Sequence, residues 1–131
     1  MGLLPDITTQ DDIKILVDGF YQRVRENDLL SPIFNNIIRE KWPEHLEKMY
    51  RFWGTVILQA NSYQGSPFPP HAKLPVEKKH FDAWLSLFKA EVDRHFTGEK
   101  ATEAKWRADK MAVMFLSKIE FYKNNPAIPL I

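Results

Sequence analysis

"SPFPPHAKLP", residues 66–75, lies between two amphipathic stretches and sets prolines at 67, 69, 70 and 75 around one imidazole, His71. Proline locks φ, donates no N–H and restricts the residue before it, so no long regular helix passes through. With Gly65 as a further break, residues 61–75 read as one long loop. A loop of this length inside a compact chain is often functional. By itself it leaves His71 open between a solvated histidine and an imidazole held stiffly toward whatever the flanking helices enclose.

Those flanking stretches are helical by their periodicity. Upstream, Ile13, Leu16, Val17, Phe20, Tyr21 and Val24 recur at helical spacing, with Thr8 or Thr9 as cap and Asp11 and Asp12 in the first turn. Asn27, Asp28 and Ser31-Pro32 supply turn chemistry, and a short segment, "PIFNNIIREK", follows. Pro43 opens a second long helix with His45, Met49, Phe52, Trp53, Val56 and Ile57 on one face. Beyond the loop, a third runs from about Val76 to Phe96 with Phe81, Trp84, Leu85, Phe88 and Val92 inward, and Gly98 is read as its C-terminal cap. The fourth covers about Glu99 to Lys123, turning Ala104, Ala108, Met111, Ala112, Phe115, Ile119 and Tyr122 inward. "NNPAIPLI" is a tail. No strand, repeat or low-complexity tract stands out. The fold class is all-α, a single domain over 1–131.

Composition narrows the function classes. Eighteen basic against 17 acidic residues give a net charge of +1, which offers no footprint for nucleic acid. The absence of cysteine excludes disulfides, thiolate metal sites and thiol catalysis. "MGLLPDITTQDD" has no basic segment followed by an apolar run, so no signal peptide is expected, and no apolar run is long enough to span a membrane. A soluble cytoplasmic monomer is the expectation. No phosphate-cradling glycine loop, HExxH or Gly-x-Ser-x-Gly occurs.

Polar groups on apolar faces are the residues that stand out. Tyr21, His45 and Trp84 each have a plain explanation: a core hydroxyl bonded to backbone, a satisfied core imidazole, an aromatic in a packed stripe. Met49, Met111 and Met114 read most simply as core filler. Together, three hydrogen-bonding groups face a pocket lined by Phe34, Met49, Phe52 and Phe81, and His71 is offered from another side. A large, flat, apolar group with a metal at its centre uses all of them, and haem is such a group.

The segments "GFYQRVREND", "LLSPIFNN", "WPEHLEKMYRFWG", "YQGSPFPPHAKLP" and "HFDAWLSLF", in this order and spacing, resemble the truncated haemoglobins, most closely group III. The resemblance covers nearly the whole chain. It implies a two-over-two helical sandwich around haem b, iron protoporphyrin IX, with the proximal helix reduced to a turn inside "PFPPHAKLP". It makes His71 the metal ligand and Tyr21, His45 and Trp84 the residues of the ligand-binding side. Phe34, Met49, Phe52, Phe81 and Phe115 become cofactor contacts. His80 competes with His71, but the matching pattern makes it a helix-start residue near a propionate. His95 matches no functional position and is expected to be exposed. Arg39, Lys41, Lys73, Lys78 and Lys79 all remain propionate candidates.

The resemblance also implies reversible binding of O2, NO, CO or other small haem ligands. Charge-assisted donors are worth roughly 1.5–3 kcal/mol each. Two of them, Tyr21 OH and Trp84 NH, imply release slowed by ~10²–10³ or more. Slow release disfavours bulk oxygen transport and favours NO detoxification or peroxidase-like chemistry, fed by an unidentified reductase. A gas sensor, a haem carrier and a cofactor-free helical module are the competing readings. The polar groups on the inner face weigh against the last.

Overall fold

The computed structural model describes residues 3–63 and 65–125. Among them the chain forms five α-helices and one 3-10 turn: α1 Gln10–Glu26, α2 Ser31–Ile38, α3 Trp42–Leu58, the turn Pro69–His71, α4 Lys78–His95 and α5 Glu99–Asn124. α1 packs on α3 and α4 on α5, and the pairs meet through α1 on α4 and α3 on α5. This is the two-over-two arrangement expected from the sequence. α2 is a short bracket against α1.

The helix starts follow local chemistry. Thr9 caps α1, accepting from the Asp12 N–H, while the Asp12 carboxylate accepts from the Thr9 N–H: a reciprocal capping box. Asn27 Oδ1 accepts from the Leu29 and Leu30 N–H groups and turns the chain into α2. Pro43 lies in the first turn of α3. At the other end of α3, Gln59 adopts a left-handed conformation, φ 59°. Thr55 Oγ1 accepts from the Ser62 and Tyr63 N–H groups at 3.0 Å and ties down the start of the loop.

Two expectations are corrected here. Gly98 does not end α4. That helix stops at His95, Phe96 is extended, and Gly98 is the residue before α5. The reason is a long-range cap. Asp6 reaches across from the N-terminal segment, and its carboxylate accepts from the Lys100 and Ala101 N–H groups at 2.9 Å. A Cβ on residue 98 would lie 2.6 Å from Asp6 Cγ, and φ there is +134°, so only glycine suits both demands. Met114 is not core filler either. It is 43% exposed, on the outer face of α5.

Asp6 and Asp12 respond to pH together. Burial pushes each carboxyl up, but N–H donors more than offset this and hold both below the ordinary 3.8. Their contribution to stability is therefore present above the unfolded pKa and is lost as pH falls through the lower folded value. We expect Asp6→Ala to cost about 1–2 kcal/mol of unfolding free energy at neutral pH, as loss of a helix cap does. Urea denaturation checks this. The deficit relative to wild type should shrink as pH falls below the ordinary carboxyl value of 3.8 and the carboxylate is protonated. An unchanged urea midpoint at neutral pH overturns the capping role.

Candidate functional site

The buried side chains fall into two apolar clusters rather than one. The larger joins α1, α3 and the inner faces of α4 and α5, and includes Phe20, Tyr21, Phe52, Trp53 and Phe88. The smaller is built from the loop and the second half of α5: Phe68, Ala72, Val76, Phe115 and Ile119. A cavity of about 260 Å³ lies where they face each other. All nine residues expected from the sequence line it: Tyr21, Phe34, His45, Met49, Phe52, His71, Phe81, Trp84 and Phe115.

The first wall carries polar groups on an aromatic frame. Tyr21 is buried, packed edge-on against Phe20, Phe34, Trp42 and His45. Burial raises its phenol pKa far above the ordinary 10, so the hydroxyl keeps its proton and remains a donor. Trp84 stacks on Phe88 at 5.6 Å and meets Phe20 edge-on. His45 comes from the first turns of α3. Burial, reinforced by the Lys48 and His71 charges, pushes its imidazole pKa down to about 4, so it is neutral at physiological pH. Its Nε2 is buried and has no hydrogen-bond partner among the described residues. A buried polar atom left so is costly unless something else fills the need.

His71 belongs to the opposite wall. The prolines shape the 3-10 turn, the His71 N–H donates to the Phe68 carbonyl at 2.7 Å, and Phe68 is anchored against Phe115. The His71 ring lies against Phe115, centroids 4.9 Å apart. Its Nδ1 is 2.6 Å from the Pro67 carbonyl oxygen. A carbonyl only accepts, so Nδ1 carries the proton and Nε2 is left with its lone pair. Burial lowers the pKa of His71, which favours this neutral form. The loop histidine is therefore not a solvated one.

His80 has the opposite tautomer. It sits in the first turn of α4, and its Nδ1 accepts from the Glu77 N–H at 2.9 Å. The proton of a neutral His80 is therefore on Nε2, which can donate but cannot bind a metal. Both histidines line the cavity. The five basic residues offered as propionate partners do not. Lys78 pairs with Asp82, Lys79 approaches Glu77, and Arg39 bonds the Asn36 carbonyl. The cavity's lysine is Lys48. Sequence reading missed it, although it sits one turn after His45 on the same helix. Tyr63 was missed as well, because no periodicity marks a loop residue; it packs edge-on to Phe52. His95 is half-buried rather than exposed, with Nε2 3.1 Å from the Glu91 carboxylate.

Among the described residues no cluster of His, Cys, Asp or Glu could cage a metal ion. A single neutral imidazole with a free lone pair suits a metal brought in by its own ring. The rest of the site fits that ring: apolar faces on both sides, basic groups in Lys48 and His80, and an orphaned His45 nitrogen. The residues present match the needs of haem.

Similarities to known proteins agree with this geometry. The pattern of the bacterial-like globin family matches residues 3–117. Group 3 truncated hemoglobin ctb of Campylobacter jejuni is 33% identical over 117 residues, covering 86% of this chain and 92% of that one. Group 2 truncated hemoglobin YjbI of Bacillus subtilis is 32% identical over 80 residues, 60% of each chain. The crystal structure of group III truncated hemoglobin from Campylobacter jejuni superposes with a TM-score of 0.82 at 31% identity, covering 89% of this chain and 95% of that one. Truncated oxygen-avid haemoglobin from Bacillus subtilis shares the fold, with a TM-score of 0.69 at 24% identity over 82% and 93% of the two chains.

The titration of His45 tests the burial argument. With a folded pKa of about 4 against an ordinary 6.5, the unfolded state takes up the proton first. Stability therefore falls as pH drops from the unfolded value towards the folded one. In imidazole NMR spectra of the haem-free protein, His45 should stay neutral down to about pH 4. Protonation near the ordinary value would mean that the ring is solvated and the cavity wall misassigned.

Proposed function

Because the chain belongs to the bacterial-like globin family, we propose that it is a truncated haemoglobin that holds haem b through His71 and reversibly binds O2, NO and CO. The observation that carries the ligand assignment is the pair of opposite tautomers. Pro67 leaves His71 Nε2 with a free lone pair, whereas Glu77 leaves His80 Nε2 protonated. Haem supplies an iron that takes one imidazole and leaves a position for a diatomic ligand.

The chain's own residues do the rest. Phe34, Met49, Phe52, Phe81 and Phe115 line the slot and would pack on the flat faces of the ring. Lys48 and the His80 Nε2–H, which also line the slot, would serve the ring's carboxylates. The Tyr21 hydroxyl and the Trp84 indole N–H, both at the cavity, would donate to the polar end of a bound ligand. Each such bond is worth roughly 1.5–3 kcal/mol where the acceptor carries charge. His45, neutral and without a protein partner, supplies a third contact at the same place. Two strong donors slow ligand release by ~10²–10⁴. The protein therefore suits chemistry on a held ligand, converting NO to nitrate or consuming peroxide in the cytoplasm, rather than bulk oxygen transport. Electrons for turnover come from a separate reductase, and the unit is a monomer.

Titration with hemin, followed by absorption spectra of the ferric, reduced and CO-bound forms, tests the site. Wild type should take up one equivalent and shift sharply with CO, and His71→Ala should lose the band or change its coordination. A His71→Ala spectrum identical to wild type, with the change appearing in His80→Ala instead, overturns the assignment. The donors are tested by O2 dissociation in stopped flow. Tyr21→Phe and Trp84→Phe should each release O2 about tenfold faster or more, the equivalent of one lost charge-assisted bond. Rates equal to wild type in both sink the slow-release argument.

A further inference from the structure

Glu91 is the one buried charged side chain of the described core, 2% exposed, and the ligand chemistry above does not use it. It sits on α4 and faces α1. Its carboxylate meets His95 Nε2 at 3.1 Å, Arg94 Nε at 3.7 Å and Arg23 Nε of α1 at 3.8 Å. Glu91 Oε1 and Arg23 Nε are both buried without a hydrogen bond, so the two helices are held by charge at close range rather than by a closed network. The partner surface on α1 is Gly19. A Cβ there would lie 2.5 Å from Glu91 Oε2 and 2.8 Å from Cδ, closer than real Cβ contacts come. The carboxylate thus occupies the space a side chain would need.

This contact is adjacent to the two ligand donors. Tyr21 follows Gly19 on α1, and Phe20 between them packs edge-on against both Trp84 and Phe88 of α4. Phe88 lies one turn before Glu91, and Trp84 one turn before that. The close approach of α1 and α4 at Gly19 and Glu91 therefore lies between the two helices that bring Tyr21 and Trp84 to the cavity. Resting on the haem reading above, we infer that Glu91 and Gly19 form a positioning clamp that aims the two donors at one ligand. Neither residue touches the ligand.

The physics of the clamp is steric and electrostatic. Glu91 can retreat from an added Cβ only by giving up its contacts with His95, Arg94 and Arg23. Where those contacts hold, α1 gives instead, within a close-packed interface. Hydrogen bonds weaken steeply with such a shift in length or angle. Removing the carboxylate frees the interface in the other sense: it empties the space opposite Gly19 and leaves Arg23 with Glu26 as its remaining acidic partner.

The test uses Gly19→Ala, Glu91→Ala and the double variant. Each single variant should release O2 about tenfold faster, the loss of one donor bond, and shift the CO stretching band. The double variant, in which the new methyl fills space vacated by the carboxylate, should lie closer to wild type than either single does. A role confined to stability would lower the melting temperature and leave off-rate and band unchanged, and that result overturns the proposal. So do single effects that simply add in the double. A haem-independent readout separates this from the site assignment. The chain has no cysteine, so spin labels on Ile15→Cys of α1 and Ser86→Cys of α4 report the helix separation in the haem-free protein. The distance should change with Gly19→Ala and recover in the double. An unchanged distance overturns the clamp whether or not haem binds, and should Gly19→Ala fail to fold, Glu91→Ala and the double carry both measurements.

Discussion

A core that cannot close on itself is the constraint on which the rest depends. Side chains from α1, α3 and α4 form one apolar surface, and those from the loop and α5 form another. Met111 packs against both, but a slot remains between them. Apolar surface left facing a cavity forfeits both its transfer free energy and its dispersion contacts. A flat apolar group recovers both, and any group that binds only the folded chain adds to its stability by mass action.

The loop follows from that constraint. A second wall must stand at a fixed distance from the first, and it must present a nitrogen rather than a methyl. Prolines at 67, 69 and 70 supply stiffness at little entropic cost, since their φ is already fixed in the unfolded chain. Pro67 also supplies the carbonyl that sets the His71 tautomer. Phe68, between them, plugs the loop into Phe115 and Tyr122. One short segment thus provides rigidity, an anchor and the proton arrangement of the imidazole.

The parts of this structure that were legible in the sequence are those written in local pattern. Helical spacing gave the four long helices, and Thr9, Asn27 and Pro43 marked starts and turns. The polar residues on apolar faces, Tyr21, His45 and Trp84, pointed to the cavity, and all nine expected side chains meet there. What was illegible depends on long-range partners. The role of Gly98 is decided by Asp6, more than ninety positions away in the chain. The propionate candidates were chosen by charge near the motifs, but which cation faces the cavity is set by how α3 is rotated, and that selects Lys48. Glu91 reads as one more acidic residue of a charged helix until Gly19 opens a place for it in the core.

Glu91 also shows where specificity and stability part company. A buried carboxylate surrounded by cations at 3.7–3.8 Å is a weak source of stability, because desolvation opposes the Coulomb gain. An apolar residue of similar size would pack the α1–α4 interface at least as well. Apolar contacts, however, fix a spacing only as firmly as their neighbours resist sliding. A carboxylate held near Arg23, Arg94 and His95, with a glycine opposite that leaves it room, marks one point of that spacing. It joins the two helices that bring Tyr21 and Trp84 to the cavity, so the carboxylate contributes position there, where a hydrophobic replacement would contribute only stability.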